Sequence, residues 1–429
     1  MIFTTMLVVF VLGYLAIALE HPIKVDKAAS ALIIGALGWA LFSFSGADIH
    51  HVSEELHHHL IDISEILFFL LGAMTIVELV DAHEGFSIIT NRITTKNKVK
   101  LMWILSCITF FFSAALDNLT TSIVMAALLP KLIKEKENLW MFAGIVILSA
   151  NAGGAWSPIG DVTTIMLWIG GQVTASNIIT SIFVPSLVCA VVPLIYLSFK
   201  MKGEIESPVL VKAKEHTLNP TTSLERNLIF CMGVCGLLFV PVFKIVTHLP
   251  PYIGMLLSLG VLWATTEILH RSKNHEQKSQ LTVISVLKKV DTPTIFFFLG
   301  ILLAVASLQS AGHLGILADK LDKTFNGDIY AINIIIGLLS AIVDNVPLVA
   351  GAMGMYEIQE LGNFAVDGTF WEFLAYCAGT GGSVLIIGSA AGVAVMGILK
   401  VDFIWYVKRI SLLALLGYAS GAITYILMQ

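Results

Sequence analysis

From Ile2 to Leu19 no charged side chain interrupts the sequence, and runs of this kind follow one another along the chain. A stretch of ~18 or more mostly apolar residues is long enough to cross the ~30 Å hydrocarbon core of a bilayer as a helix. Hydrophobic residues make up 57% of the 429 and charged residues 13%, against about 25% charged in a soluble domain. The expected fold is an all-α polytopic membrane protein with little room for a soluble domain. The first run lacks a basic segment ahead of it and leads straight into further runs, so it reads as a span rather than a cleaved signal. Cys107, Cys189, Cys231, Cys235 and Cys377 lie in apolar runs without metal-ligand spacing and read as buried thiols. The net charge of −5 is modest and points to no nucleic-acid partner.

Lys and Arg mark cytoplasmic loops. Lys24 and Lys27 place the first loop inside, and "GADIHHVSEELHHHLIDIS", with acids and histidines only, reads as an external loop. Arg92, Lys96, Lys98 and Lys100 place the next loop inside. The apolar stretch from Leu101 to Pro130 is long for one span and short for two, and Lys100 precedes it while Lys131, Lys134 and Lys136 follow. Both ends therefore belong on one side, as in a re-entrant helical hairpin with Asp117 and Asn118 near its tip. Non-helical backbone at that depth requires cover by protein or a water-filled cavity. In "LSANAGGAWSPIGDVTTIMLW", Gly153, Gly154, Pro158 and Gly160 break the next apolar run. It reads as a span unwound at its middle, and such breaks free helix ends and carbonyls to hold ions.

The second half repeats this plan. "FLLGAM" at Phe69 and "FFLGIL" at Phe297 lie 228 positions apart, Asp117-Asn118 and Asp344-Asn345 lie 227 apart, and "NAGGAWSPIGD" falls on "GTGGSVLIIGS". The apolar runs at 2–19, 28–45 and 178–199 fall on 230–247, 256–273 and 406–427. Lys288 and Lys289 start the partner of the span near Ile66 from the inside, so the second half reads as inverted. The expectation is two inverted repeats, each of five transmembrane helices, one of them unwound at its middle, plus one re-entrant hairpin. The first covers residues 1–200 (hairpin 101–130, broken helix 139–171). A cytoplasmic linker follows over 201–223. The second covers 224–429 (hairpin 329–358, broken helix 371–399), and both termini fall outside. Interrupted segments at matching positions of inverted repeats are the sequence pointer to a secondary transporter's site.

Asp117, Asp344 and Asp161 are then expected to meet near the midplane and to hold Na+. Oxygen donors surround them in sequence: Asn118, Thr120, Thr121, Asn151, Ser157, Thr163 and Thr164. Carboxylates favour a cation over an anion, and oxygen ligands without His or Cys favour a hard one. A carboxylate desolvated in the membrane takes up a proton more readily than one in water, so one group can hold either H+ or Na+.

"HHLIDISEILFFLLGAMTIVELVDAHEGF", "LDNLTTSIVMAALLPKL", "ANAGGAWSPIGDVTT" and "VDNVPLVAGAMGM" closely resemble the NhaD-type sodium/proton antiporters, in the ion-transporter superfamily of arsenite and dicarboxylate carriers. The resemblance spans nearly the whole chain. It implies Na+ and Li+ exchange for H+ by alternating access, activity at alkaline pH, pH homeostasis and a homodimer. It also implies a multi-pass protein of the cell inner membrane, with no cofactor and no enzyme activity. Functional positions carry over to Asp117, Asn118, Asn151, Asp161, Thr163, Thr164, Asp344 and Asn345, with Ser340 and Ser383 beside them. Dicarboxylate carriers of the superfamily carry Ser-Asn-Thr at the hairpin tips, and Asp117 and Asp344 replace that serine here.

Glu78 near the cytoplasmic end of its span is a proton-path or pH-response candidate, and His50, His51, His57, His58 and His59 could sense external pH or catch a metal. Trp103, Trp140 and Trp371 read as interface anchors. An intramembrane aspartyl protease lacks support, since its Gly-x-Gly-Asp signature is missing and the repeat has no place in it. The nearer alternative is a Na+-coupled dicarboxylate or oxyanion carrier.

Overall fold

A computed structural model of the chain describes residues 2–18, 20–46, 48–86, 88, 95–205, 221–271, 273, 281–342 and 344–429. Arg92 and residues 206–220 of the expected linker lie outside the described residues. Those described are helical, with two isolated β-bridges and no strand. The principal helices are α1 (Ile2–Ala18), α2 (Lys27–Ser43), α3 (Ile49–Ala82), α4 (Lys98–Leu116), α5 (Asn118–Leu132), α6 (Lys136–Ala155), α7 (Val162–Ile169), α8 (Ala175–Lys200) and α9 (Ser223–Thr247). They continue with α10 (Pro251–Leu269), α11 (Thr292–Ser310), α12 (His313–Phe325), α13 (Ile329–Leu339), α14 (Asn345–Met355), α15 (Thr369–Gly381), α16 (Ala390–Leu399) and α17 (Phe403–Met428). Among the described residues, eight helices are long and apolar enough to cross a membrane.

Most helices begin on a side chain that accepts from the first free N–H groups. Asp26, Asp48, Asn97, Thr174, Thr222, Asp291, Asp328 and Asp402 cap α2, α3, α4, α8, α9, α11, α13 and α17 in this way. An unpaired N–H facing hydrocarbon costs several kcal/mol, so the polar residues between apolar runs first serve to start helices.

Among the described residues, four interruptions lie within the apolar runs: at Asp117, between Ala155 and Val162, between Leu339 and Asn345, and between Gly381 and Ala390. The pieces α5, α7, α13, α14 and α16 hold 15, 8, 11, 11 and 10 residues. At ~1.5 Å per residue, none alone spans the ~30 Å core. They pack crosswise between the halves of the chain. α5 lies against α16, α14 against α7, and α6 against α15.

Gly153 and Gly381 make the closest approaches of one helix to another's backbone among the described residues. A Cβ on Gly153 would sit 2.1 Å from the Phe110 carbonyl oxygen, and one on Gly381 would sit 2.0 Å from that of Gly337. Small residues at such crossings let helix backbones touch.

Several expectations are corrected. The His-rich stretch is helix rather than loop. Asp48 accepts from the His50 N–H at 3.1 Å and α3 then runs unbroken for 34 residues. At ~1.5 Å per residue its first turns extend well beyond a ~30 Å core. Trp371 is fully buried and edge-on to Phe364 and Phe370, with its Nε1 donating to the Phe364 carbonyl at 3.0 Å. It packs the interior and is no interface anchor. Cys107, Cys231 and Cys235 are exposed on helix faces, so only Cys189 and Cys377 are buried thiols.

His83 and His270 follow the last residues of α3 and α10, and both are buried. Their Nε2 atoms lie 2.7 Å apart with the rings stacked. His83 Nδ1 lies 2.7 Å from the Leu79 carbonyl and therefore donates to it. Its neutral Nε2 is then the acceptor, and His270 Nε2 carries the shared proton.

Burial holds His83 below the ordinary imidazole range; Lys273 lowers it further, while the Leu79 bond and Glu225 oppose. A folded-state pKa below the unfolded value means stability present above ~6.5 and lost as pH falls. Thermal melting of the detergent-purified protein is expected to drop between pH 7 and 5, with a shallower drop in His83→Gln. A separate melt tests the helix crossing. Gly381→Val is expected to cost about 1–3 kcal/mol or more by overpacking. Gly260→Val, where a Cβ meets nothing within 4 Å, is expected to melt near wild type.

Candidate functional site

Asp161 begins α7 and is 1% exposed. Its backbone is extended, so its side chain turns back over the helix end. Oδ1 accepts from the Thr163 N–H at 2.9 Å and from the Thr163 hydroxyl at 2.7 Å. The Thr164 hydroxyl donates to the Asp161 carbonyl at 2.8 Å. Asn118 Nδ2 donates to Oδ2. Asn345 Nδ2 lies 3.3 Å from Oδ1 and 3.5 Å from Oδ2. Asn118 opens α5 and Asn345 opens α14, so one buried carboxylate gathers an amide from each half of the chain.

The network continues through Asn151 on α6. Asn118 Nδ2 donates to Asn151 Oδ1 at 3.1 Å, and Asn151 Nδ2 reaches the Ser383 and Ser389 hydroxyls, each at 2.9 Å. All these residues are buried.

Asp117 and Asp344 flank this centre. No hydrogen bond or ion pair among the described residues joins them; each caps its own helix within electrostatic reach of a neighbouring carboxylate. Asp117 accepts from the Thr120 N–H at 2.7 Å and the Thr120 hydroxyl at 2.8 Å. Its φ of 86° and ψ of 160° fall in a region that is nearly glycine's alone, and such backbone costs on the order of 1–3 kcal/mol. Asp344 Oδ1 accepts from the Val346 N–H at 3.2 Å, while Oδ2 faces Lys27 Nζ at 3.7 Å.

Ser157 and Ser340 stand one step back. Their hydroxyls donate to the Ala114 and Ala378 carbonyls at 2.5 and 3.1 Å, and so pin the interrupted backbone. Thr121 is buried and its hydroxyl has no partner among the described residues.

Glu78 lines a cavity of about 120 Å³ with Asp81, Thr120, Lys289 and Asp291, reaching the first turn of α5. A second cavity, of about 260 Å³, is lined by His58, His59 and Glu65 of α3 together with Met166 of α7 and Ala350 of α14. It lies toward the later turns of α7 and α14.

The structure thus brings together Asn118, Asn151, Asp161, Thr163, Thr164, Asn345 and Ser383. Asp117 with Thr120, and Asp344, stand at the edge. Two residues, Ser389 and Lys27, join the site without having been expected there. Ser389 is the repeat counterpart of Asp161, so its signal was present. Lys27 reads only as a loop charge, because nothing local shows that it meets a carboxylate in the other half.

Four helix N-termini meet here: α5, α7, α14 and α16, capped by Asp117, Asp161, Asp344 and Ser389. Bare N-termini attract anions. Three of these four already carry a carboxylate of the chain itself.

A family model described as "Citrate transporter" matches residues 4–371. "Sodium/proton antiporter 1" of Arabidopsis thaliana is 45% identical over 98% of this chain and 72% of its own length. "Sodium/proton antiporter 2" of the same plant is 43% identical over 98% of both. "Na(+)/H(+) antiporter NhaD" of Vibrio cholerae is 30% identical over 99% of this chain and 91% of its own. These are transporters rather than enzymes, and with these likenesses the chain belongs to the NhaD-type antiporters within the citrate-transporter family.

Proposed function

We propose that the protein exchanges Na+, and Li+, for H+ by alternating access, with Asp161 at the centre of the cation site. The observation that carries this is the Asp161 carboxylate held between Asn118 and Asn345. Around it Asn151, Thr163, Thr164 and Ser383 supply hard oxygen donors, and Asp117 and Asp344 add charge at the rim. Either H+ or Na+ neutralises a buried carboxylate, so the two compete for one position. The names of the relatives agree with this reading.

The crosswise packing of α5 on α16 and of α14 on α7 supports two inverted repeats over 1–200 and 224–429, joined by the linker at 201–223. The shortness of α5, α13 and α14 supports re-entrant hairpins at 101–130 and 329–358. The cavities beside Glu78 and beside His58 are then the two approaches opened in turn, with Glu78 on the inner proton path. The protein sits in the cytoplasmic membrane as a homodimer with both termini outside.

An anion carrier would leave the N-termini of α5, α7 and α14 to a bound carboxylate. Here the chain's own carboxylates hold those ends.

Purified protein in proteoliposomes with an acid interior and a pH dye tests the exchange. Adding Na+ or Li+ outside at pH 8, with no anionic solute, is expected to make the interior alkaline. Asp161→Asn is expected to slow this by about 100-fold, each tenfold corresponding to about 1.4 kcal/mol of lost cation stabilisation. Wild-type rates in Asp161→Asn would remove Asp161 from the site. Movement seen only when citrate or an oxyanion is added would favour the Na+-coupled anion carrier instead.

A further inference from the structure

Among the described residues, the Lys27–Asp344 pair is the one ion pair at the site. Lys27 is the first residue of α2, where Asp26 accepts from the Ala28 N–H at 2.8 Å. Its ammonium reaches Asp344 Oδ2 at 3.7 Å and lies 4.4 Å from the centre of the Phe297 ring on α11. The two side chains are 21% and 15% exposed, so both are largely withdrawn from water. Lys27 also lines a cavity of about 200 Å³ with Glu20, Asp26, Asp291 and Thr294, which meets the site at Leu119 of α5. A helix that packs along α11 therefore presents a tethered cation to a carboxylate at the tip of α14.

We propose that Lys27 is the resident counter-ion of Asp344 and competes with the transported cation, so that it sets the apparent Na+ affinity. The inference rests on the exchange reading above and deepens it. The reason is electrostatic. A largely buried carboxylate without a positive partner is strongly unfavourable, and the cation beside Asp344 is the Lys27 ammonium. A Na+ ion that takes its place frees the ammonium toward the neighbouring cavity, where Glu20, Asp26 and Asp291 receive it. Loading then exchanges one charge for another at Asp344, and the affinity of Na+ is reduced by the strength of the pair it displaces.

Na+ concentration dependence in proteoliposomes tests this on wild type, Lys27→Gln and Lys27→Arg, each also melted in detergent. Lys27→Gln removes the competitor and is expected to lower the Na+ KM by roughly tenfold, equivalent to about 1.4 kcal/mol. Lys27→Arg offers a more weakly hydrated, forked cation to the carboxylate and is expected to raise KM. A merely structural Lys27 would change kcat or melting in both variants without opposite movements of KM. In an Asp344→Asn background, Lys27→Gln is expected to leave KM where Asp344→Asn alone puts it, since the competition has lost its object.

If Lys27→Gln does not fold, Lys27→Arg carries the test: an unchanged KM in it overturns the inference. Unchanged KM in both variants, with wild type exchanging Na+ for H+, overturns the inference and leaves the exchange reading standing. A wild type that moves no proton on Na+ addition overturns both.

Discussion

One buried carboxylate organises the middle of this molecule. Asp161 sits where α6 has ended and α7 has begun, and the amides of Asn118 and Asn345 come to it from two other interruptions. A charge in hydrocarbon is tolerated when it is paired or lines a polar cavity. The fold answers that demand by bringing helix starts, amides and hydroxyls to one place. The glycines at 153 and 381 then follow as necessities, because the interrupted helices must approach the backbones of α4 and α13 closely to put those groups in reach.

Much of this is legible in the sequence for a physical reason. Polar residues, glycine and proline are costly inside an apolar run and cluster at its breaks, and the helices do stop at Leu116, Ala155, Leu339 and Gly381. The position of each break also shows which residues start the next helix, hence Asn118 and Asn345. What is hidden is partnership across space. Nothing near Lys27 in sequence indicates Asp344, and the ion pair exists only because α2 packs along α11. The His-rich stretch misleads for the opposite reason. Its polarity resembles a loop, but an Asp48 cap and the absence of glycine or proline up to Gly72 let the helix continue into water.

Asp117 shows how closely capping and function are joined. As a cap it is replaceable by any Ser, Thr or Asn at a cost of a few tenths to about 1 kcal/mol. Yet it is held at a φ of 86°, where glycine alone would be at ease. Backbone strain of this size persists where surrounding packing enforces it, and here the α4 side of the break is pinned twice: Ser113 donates to the Ala150 carbonyl and the Ala114 carbonyl accepts from Ser157. Its carboxylate accepts from the hydroxyl of Thr120, which lines the cavity beside Glu78.

Charge counting separates the two classes of cargo that such a scaffold could carry. A helix N-terminus acts as roughly +0.5 charge, so the four that meet here present about +2 when bare, matched to a dianion. The carboxylates of Asp117, Asp161 and Asp344 bring −3 if ionised, which leaves about −1. Lys27 returns the sum to about zero. A site balanced in this way has no vacancy for an anion. On the exchange proposed above, it accepts a cation when the Lys27 ammonium withdraws. That exchange keeps the buried total near zero throughout, which is the condition a charge-carrying site must meet at the centre of a membrane.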